Sequence, residues 1–381
     1  MSAGRAGTGV AARMGVEARE RLGVRLGPIV AAFLVSRLLV LVAALLAELV
    51  VSRNPALTSG ASGPILSSLT SWDGWFYLGI ARDGYHAAPV IGTYHDYAFL
   101  PLYPLLVRVL SLGQELLVGP VALLVSNAAF LVSLGFLARL GEIHLGRERA
   151  ERAVLLLAIS PFAAVFSMAY AESLFLMLAL GAFLAAERDR RALAGLLVLA
   201  AGLARLQGVA IVPLIWLVLY LRDRRRVRPS QAWALLGLVG TLAFLGYTAW
   251  LSGSAGGYAA TQSDWGRSGV GSFAAGESLL ERLTAGNLVQ LGVLLVSVFL
   301  LVYIRPDRIP LPYALMPILF IGSTVASGIL ESIGRYATLA FPYSWILASR
   351  RAQVFRVGWP ILSGGLLLVF ATASFAGWFV P

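Results

Sequence analysis

The chain contains no cysteine, which excludes disulfides and leaves the redox compartment unreadable. It contains no lysine either, so all 30 basic residues are arginine. That usage fits a GC-rich bacterial genome and carries no chemistry of its own. Charge of either sign is scarce: 13% of residues are charged, where a soluble domain carries about 25%. There is no Walker motif, dinucleotide fingerprint or GxSxG, so ATP-driven transport and serine hydrolysis find no support. No repeat of fixed period runs through the chain. A cleavable secretory signal is not expected, because the apolar stretch after the basic arm Met1–Gly27 is too long and lacks a small-residue cleavage site.

Apolar residues fill the space left by these absences. They make up 59% of the 381 residues, and the mean hydropathy is +0.81. A spanning helix needs about 20 apolar residues. Pro28–Val51, Leu116–Ala138, Gln231–Leu251, Asn287–Ile304, Leu311–Leu330 and Gly358–Phe379 each meet that need. Ala153–Ala186 is too long for one span and reads as a hairpin broken within Pro161–Ser173. Ala192–Leu221 reads as two short helices turning near Arg205–Gly208, and Tyr336–Ala348 as one short span. The expectation is an all-α polytopic membrane protein of about eleven transmembrane helices, a single integral membrane domain over residues 1–381.

The arginines orient this bundle. With Met1 in the cytoplasm, the arm and the segments Arg139–Arg152, Glu187–Arg191, Arg222–Arg228, Arg305–Arg308 and Ser349–Arg356 hold 22 Arg and 9 acids, a charge of +13. The opposite side holds 7 Arg and 9 acids, −2. This is the positive-inside asymmetry. Merging either hairpin into one span would destroy it. The pI near 10.4 therefore reports topology, and no nucleic-acid partner is expected. By the same test Phe99–Leu110 is an interfacial or re-entrant helix rather than a span.

Polar residues with chemical capacity gather on the outer side. The long loop of residues 53–115 carries WDGWFYLGIARDGY (Trp72–Tyr85) and YHDYAFLPLYP (Tyr94–Pro104). Shorter outer turns carry YAES (Tyr170–Ser173), ARLQG (Ala204–Gly208), SDWGR (Ser263–Arg267) and ESIGRY (Glu331–Tyr336). Trp72, Trp75, Phe76 and Tyr77 read first as headgroup-level anchors. Asp73 among them is costly to desolvate without a purpose or partner, which suits a general base. Arg205 and Arg335 sit in turns at the outer ends of short helices, where a guanidinium suits a phosphate; an ion pair such as Arg335 with Glu331 is the structural alternative. His86, His95 and Asp96 lack the spacing of a metal site, so no metal or other cofactor is expected. Within the first span, Arg37 reads as structural and partly snorkelling, and Glu48 is left open.

Trp72-Asp73, IARDGY and AFLPLYP together resemble the first luminal loop of the GPI mannosyltransferase II (PIG-V) family, whose pattern reads approximately WD…IA..GY followed by FFPL.P. SPFAAVFSMAYAESLF (Ser160–Phe175) resembles its SP…Y.ESLF segment, and ARLQG its R-S-N-G turn, with Leu206 and Gln207 departing. The likeness covers roughly Ser71–Gly208; the C-terminal third agrees mainly in hydropathy and the Gly334-Arg335-Tyr336 turn. It implies a GT-C-like glycosyltransferase taking a sugar from a polyprenyl-phosphate carrier on the extracytoplasmic face of the bacterial cytoplasmic membrane, with inversion. It further implies Asp73 as general base and Arg205 or Arg335, with His86 or His95, on the donor phosphate. Trp72, Asp83, Tyr85, Asp96, Tyr170, Glu172 and Gln207 would shape the sugar or acceptor site. The partners implied are the lipid-linked donor, the bilayer, and a glycan, glycolipid or protein acceptor. Mannose is the family's sugar; nothing in the residues reads mannose over another hexose or arabinose. A transporter or lipid flippase would instead distribute charge through its spans, where this chain places only Arg37 and Glu48. A noncatalytic scaffold would have no need of Asp73.

Overall fold

A computed structural model describes residues 25–54, 64–90, 94–264, 288–304, 309–327 and 330–381. Most of the N-terminal arm, Trp265–Arg267 of the SDWGR turn, and Arg305–Arg308 lie outside these residues. In chain order the helices are α1 (Leu26–Leu49), α2 (Pro64–Leu69), α3 (Asp73–Asp83), α4 (Leu102–Leu110), α5 (Glu115–His144), α6 (Arg147–Ala158), α7 (Glu172–Glu187), α8 (Arg191–Ala204) and α9 (Gly208–Arg222). There follow α10 (Leu236–Ser252, entered through a 3₁₀ turn at Pro229–Leu235), α11 (Gly257–Asp264), α12 (Leu288–Leu301), α13 (Leu311–Ala326), α14 (Ile333–Leu339), α15 (Pro342–Ser349) and α16 (Trp359–Phe375).

The helices turn their sides the wrong way for water. On α1 Leu34, Leu38, Leu41 and Leu45 are exposed, while Ala32, Ser36, Ala43 and Ala47 are buried. Small residues inside and large aliphatics outside are what lipid as solvent demands, since helices then associate by close backbone approach. The contact of α8 with α10 follows this rule. A Cβ on Gly202 would lie 2.5 Å from the Gly237 carbonyl oxygen, and one on Gly240 would lie 2.6 Å from the Leu199 carbonyl oxygen. Among the described residues four helices are long and apolar enough to cross a membrane: Leu26–Leu49, Glu115–His144, Pro229–Ser252 and Val354–Phe375. Arg191–Ala204, Gly208–Arg222, Leu288–Leu301 and Leu311–Ala326 are apolar but shorter.

Both expected breaks are present, and the arms of the second pack together. The first breaks after Ala158 at Ser160-Pro161, runs through a 3₁₀ turn at Ala163–Phe166 and resumes at Glu172. The second breaks at Arg205–Gln207. Gly208 permits that tight return, because a Cβ there would lie 2.5 Å from the Gly202 Cα. The span expected at Tyr336–Ala348 is instead two short helices. Pro342 has no N–H to continue the ladder of α14, and it opens α15 in the first turn, where no such donor is required. Phe99–Leu110 is no span: α4 has 9 residues and packs between α3 and α5.

Helix α7 is the axis of the bundle, with 14 of its 16 residues buried against α5, α8 and α9. A glutamate stands at each end, and 15 residue steps place them about 22 Å apart. At the Glu187 end, its Oε1 lies 3.0 Å from His144 Nε2 and accepts a 2.7 Å bond from the Tyr313 hydroxyl. Beside it Arg191 grips Asp223 bidentately at 2.9 and 2.8 Å, and Gln231 adds a third bond at 2.8 Å. The bonds from Arg191, then Gln231, hold the Asp223 carboxyl down at about 2. Arg37 does not snorkel. It donates across the bundle to Asn127 Oδ1 at 2.8 Å and the Phe166 carbonyl at 3.1 Å, over the Phe130 ring. Glu48 pairs with Arg53.

Candidate active site

The Glu172 end of α7 is built from segments far apart in the sequence. Trp72 has φ 56 and ψ −127, a region open mainly to glycine. Such backbone strain, about 1–3 kcal/mol, persists where surroundings impose it. Here the Trp72 indole donates to the Ser374 carbonyl at 2.9 Å, tying the residue to the C-terminal helix. That kink starts α3 with Asp73 as its first residue. The backbone N–H of Asp73, one of the helix's free first-turn donors, is taken by the Tyr170 hydroxyl at 3.2 Å. A carboxylate at this position also faces the favourable end of the helix dipole.

Asp73 Oδ2 accepts a bond from Arg335 Nη1. Arg335 lies on α14, buried over the Tyr170 ring, and its Nη2 donates to Ser332 Oγ at 2.8 Å. Nη1 also stands 3.3 Å from Glu172 Oε1. The same oxygen lies 2.6 Å from Arg205 Nη1, and Arg205 Nε donates to Gln207 Oε1 at 3.1 Å. Four charges thus form one chain, Asp73–Arg335–Glu172–Arg205, whose formal sum is zero. Neither Arg335–Glu331 pairing nor isolated arginines describe it. Glu331 is exposed, and the true partners come from segments 163 and 262 residues distant in sequence.

Burial separates the roles of the two carboxylates. The Glu172 side chain is 0% exposed, whereas Asp73 is 23% exposed and opens onto a cavity of about 560 Å³. Arg205, Gln207, Arg335, Tyr336 and Tyr77 share that wall. Tyr77, which reads from sequence as a headgroup anchor, is therefore a cavity residue. The cavity is also lined by Tyr258 and Gln262 of α11, by Ser323 and Thr324 of α13 and by Ser327 just past its end, none of which sequence reasoning picked out. The signals were there: Tyr258 and Gln262 are one turn apart, and Ser323-Thr324 interrupts an apolar run.

Other expected site residues lie off this wall. Glu172, fully buried, pairs with both guanidiniums, and Tyr170 lies beneath that of Arg335. His86 binds buried Asp96 through both its backbone N–H (3.1 Å) and its ring Nδ1 (3.0 Å), and His95 stacks on Tyr97. Asp83 and Tyr85 face a separate cavity of about 460 Å³. Arg108, also on that cavity, caps α3 by donating to the Ala81 and Arg82 carbonyls. Among the described residues no three His, Cys, Asp or Glu side chains are arranged to hold a metal ion.

Residues 29–222 match the family model described as Mannosyltransferase (PIG-V). The chain belongs to that family. Asp73, Tyr170, Glu172, Arg205 and Gln207 fall within the matched stretch, and Arg335 lies beyond it. This PIG-V member is 32% identical over 162 residues to the GPI alpha-1,6-mannosyltransferase 2 of Rattus norvegicus, covering 39% of this chain and 31% of the relative. Against the Mus musculus protein of the same name the identity is 34% over 153 residues, covering 36% and 29%. The chain thus matches about a third of the length of these relatives. Among solved structures it is similar to the Archaeoglobus fulgidus oligosaccharyltransferase, with a TM-score of 0.46 and 15% identity over 92% of this chain and 52% of the other.

Proposed function

We propose that this chain moves mannose, with inversion, from a polyprenyl-phosphate carrier to an acceptor hydroxyl, and that Asp73 is the general base. One observation carries the reading: a partly exposed carboxylate and two buried guanidiniums open onto one cavity at the same end of the bundle. Family membership supplies the sugar. The acceptor O–H gives its proton to Asp73 as its oxygen attacks the anomeric carbon. The bond from that carbon to the phosphate oxygen breaks, and the phosphate leaves with a second negative charge. Arg205 and Arg335 stabilise that charge, as preorganised donors do where charge develops. The electrostatics balance. The four side chains sum to zero, a phosphodiester brings −1, and the acceptor's proton neutralises Asp73 as the leaving phosphate gains its second charge. His86, bonded to Asp96, and His95, stacked on Tyr97, do not line the cavity and are left out of the donor site.

The reading places this cavity on the extracytoplasmic face of a bacterial cytoplasmic membrane, with Met1 inside and about eleven crossings in one membrane domain. Residues 53–115 form its first outer loop. Its support is the arginine count. The Arg-rich segments 187–191 and 222–228 join the Glu187 end of α7, opposite the cavity. The acceptor is a glycan, glycolipid or protein carrying a free hydroxyl.

The test is transfer from polyprenyl-phosphate-mannose by purified protein. Asp73→Asn should remain folded and lose transfer by at least about a thousandfold. Undiminished transfer by that variant would sink the base assignment.

A further inference from the structure

Arg335 holds the base and faces the proposed phosphate position with the same edge. Its Nη1 is bonded to Asp73 Oδ2 and lies 3.3 Å from Glu172 Oε1, while its Nε, though buried, finds no hydrogen-bond partner. The two carboxylates on this guanidinium differ in access. Glu172 is sealed and also holds Arg205, so it is the fixed counter-charge that keeps both arginines side by side. Asp73 borders the cavity, and a ligand anion entering there meets the face of Arg335 that Asp73 occupies. A phosphodiester carries the same single charge as a carboxylate, and guanidinium binds either in the same planar, paired way.

We infer that Asp73 and the donor phosphate compete for the same edge of Arg335, so that donor binding displaces Asp73 from Arg335 and releases it as a base. This rests on the proposed transfer reaction and adds an order of events to it. While Oδ2 is held by Arg335, the carboxylate is fixed in one orientation and cannot turn to meet the acceptor's hydroxyl. Once the phosphate takes the guanidinium, the carboxylate turns free within the cavity. No bond is made or broken in this exchange; one anion replaces another on the cation. The enzyme thereby binds donor first, and an acceptor arriving alone meets a base that is engaged. Glu172 is a positioning residue in this scheme, since without it Arg335 would keep Ser332 but no carboxylate partner when Asp73 departs.

The scheme predicts that removing the base tightens donor binding. The dissociation constant for a short-chain polyprenyl-phosphate-mannose, and for the polyprenyl phosphate alone, is measured on purified full-length protein in detergent. Asp73→Asn should bind both about tenfold more tightly than wild type, and the same change made in an Arg335→Ala background should alter binding little. Asp73→Ser repeats the measurement if Asp73→Asn does not fold. Unchanged or weaker binding overturns the inference. So does tightening that persists without Arg335, because it then reports only a negative charge removed from the cavity. The two failures are separable. Transfer by Asp73→Asn sinks the reaction assignment itself, whereas an inactive variant with unimproved donor binding sinks only the sharing of Arg335.

Discussion

At the residue scale the decisive difference lies between Glu172 and Asp73, two carboxylates on one arginine. Glu172 has no contact with solvent and answers two buried guanidiniums. Breaking a buried pair by removing one partner costs about 3–5 kcal/mol, because the remaining charge stays desolvated. Glu172→Gln should therefore lower the thermal unfolding midpoint in detergent by many degrees, while Gln207→Ala on the cavity wall should shift it little. Equal midpoints would show that the pairs do not hold the bundle together. Asp73 was legible in the sequence because a carboxylate among Trp72, Trp75 and Tyr77 demands a reason. Its partner was not. Proximity along the chain offered Arg335 to Glu331, and only the packing of α14 onto the α6–α7 turn brings it to Asp73 and Glu172 instead. Gly334 marks that packing, since a Cβ there would lie 2.7 Å from the Phe162 ring.

Among the elements, the helix ends opposite the cavity are held by polar clamps that invite a pH test. The Asp223 carboxyl is held at about 2 by Arg191 and Gln231, below its ordinary value of about 3.9. A depressed carboxylate contributes stability that is fully present above its unfolded value and disappears as pH falls through the folded one. The wild-type midpoint should exceed that of Asp223→Asn near neutrality, and the gap should narrow below about pH 4 and close near pH 2. A gap of constant size would mean that the clamp works by shape rather than charge. Sequence reading found these elements where an apolar run was too long for one span and had a polar break, as at Pro161–Ser173 and Arg205–Gly208. It missed the break before Pro342, because that run was short enough to pass as one helix and Pro reads equally as a first-turn residue. It assigned no element at Tyr258–Gln262, since α11 has 8 residues and no run of apolar ones.

For the whole molecule, the absence of cysteine makes its orientation directly measurable. Ser254 is exposed beyond the end of α10, and Arg226 is exposed in the turn beside the Asp223 clamp. A single Ser254→Cys should react with a membrane-impermeant maleimide in intact cells, and Arg226→Cys only after permeabilisation. The reverse pattern would invert the molecule. Either way, α7 joins the two ends. Its 16 residues span about 24 Å, roughly one turn less than the hydrocarbon thickness of about 30 Å. In the proposed topology, with its Glu187 end at one interface, the Glu172 end lies sunk by that missing turn below the other. An activated sugar held at that depth is shielded from bulk water, which is the competing nucleophile at far higher concentration than any acceptor. In the proposed transfer, the partition between useful reaction and wasted hydrolysis would then be governed by the length of a buried helix, which no single side chain in the cavity records.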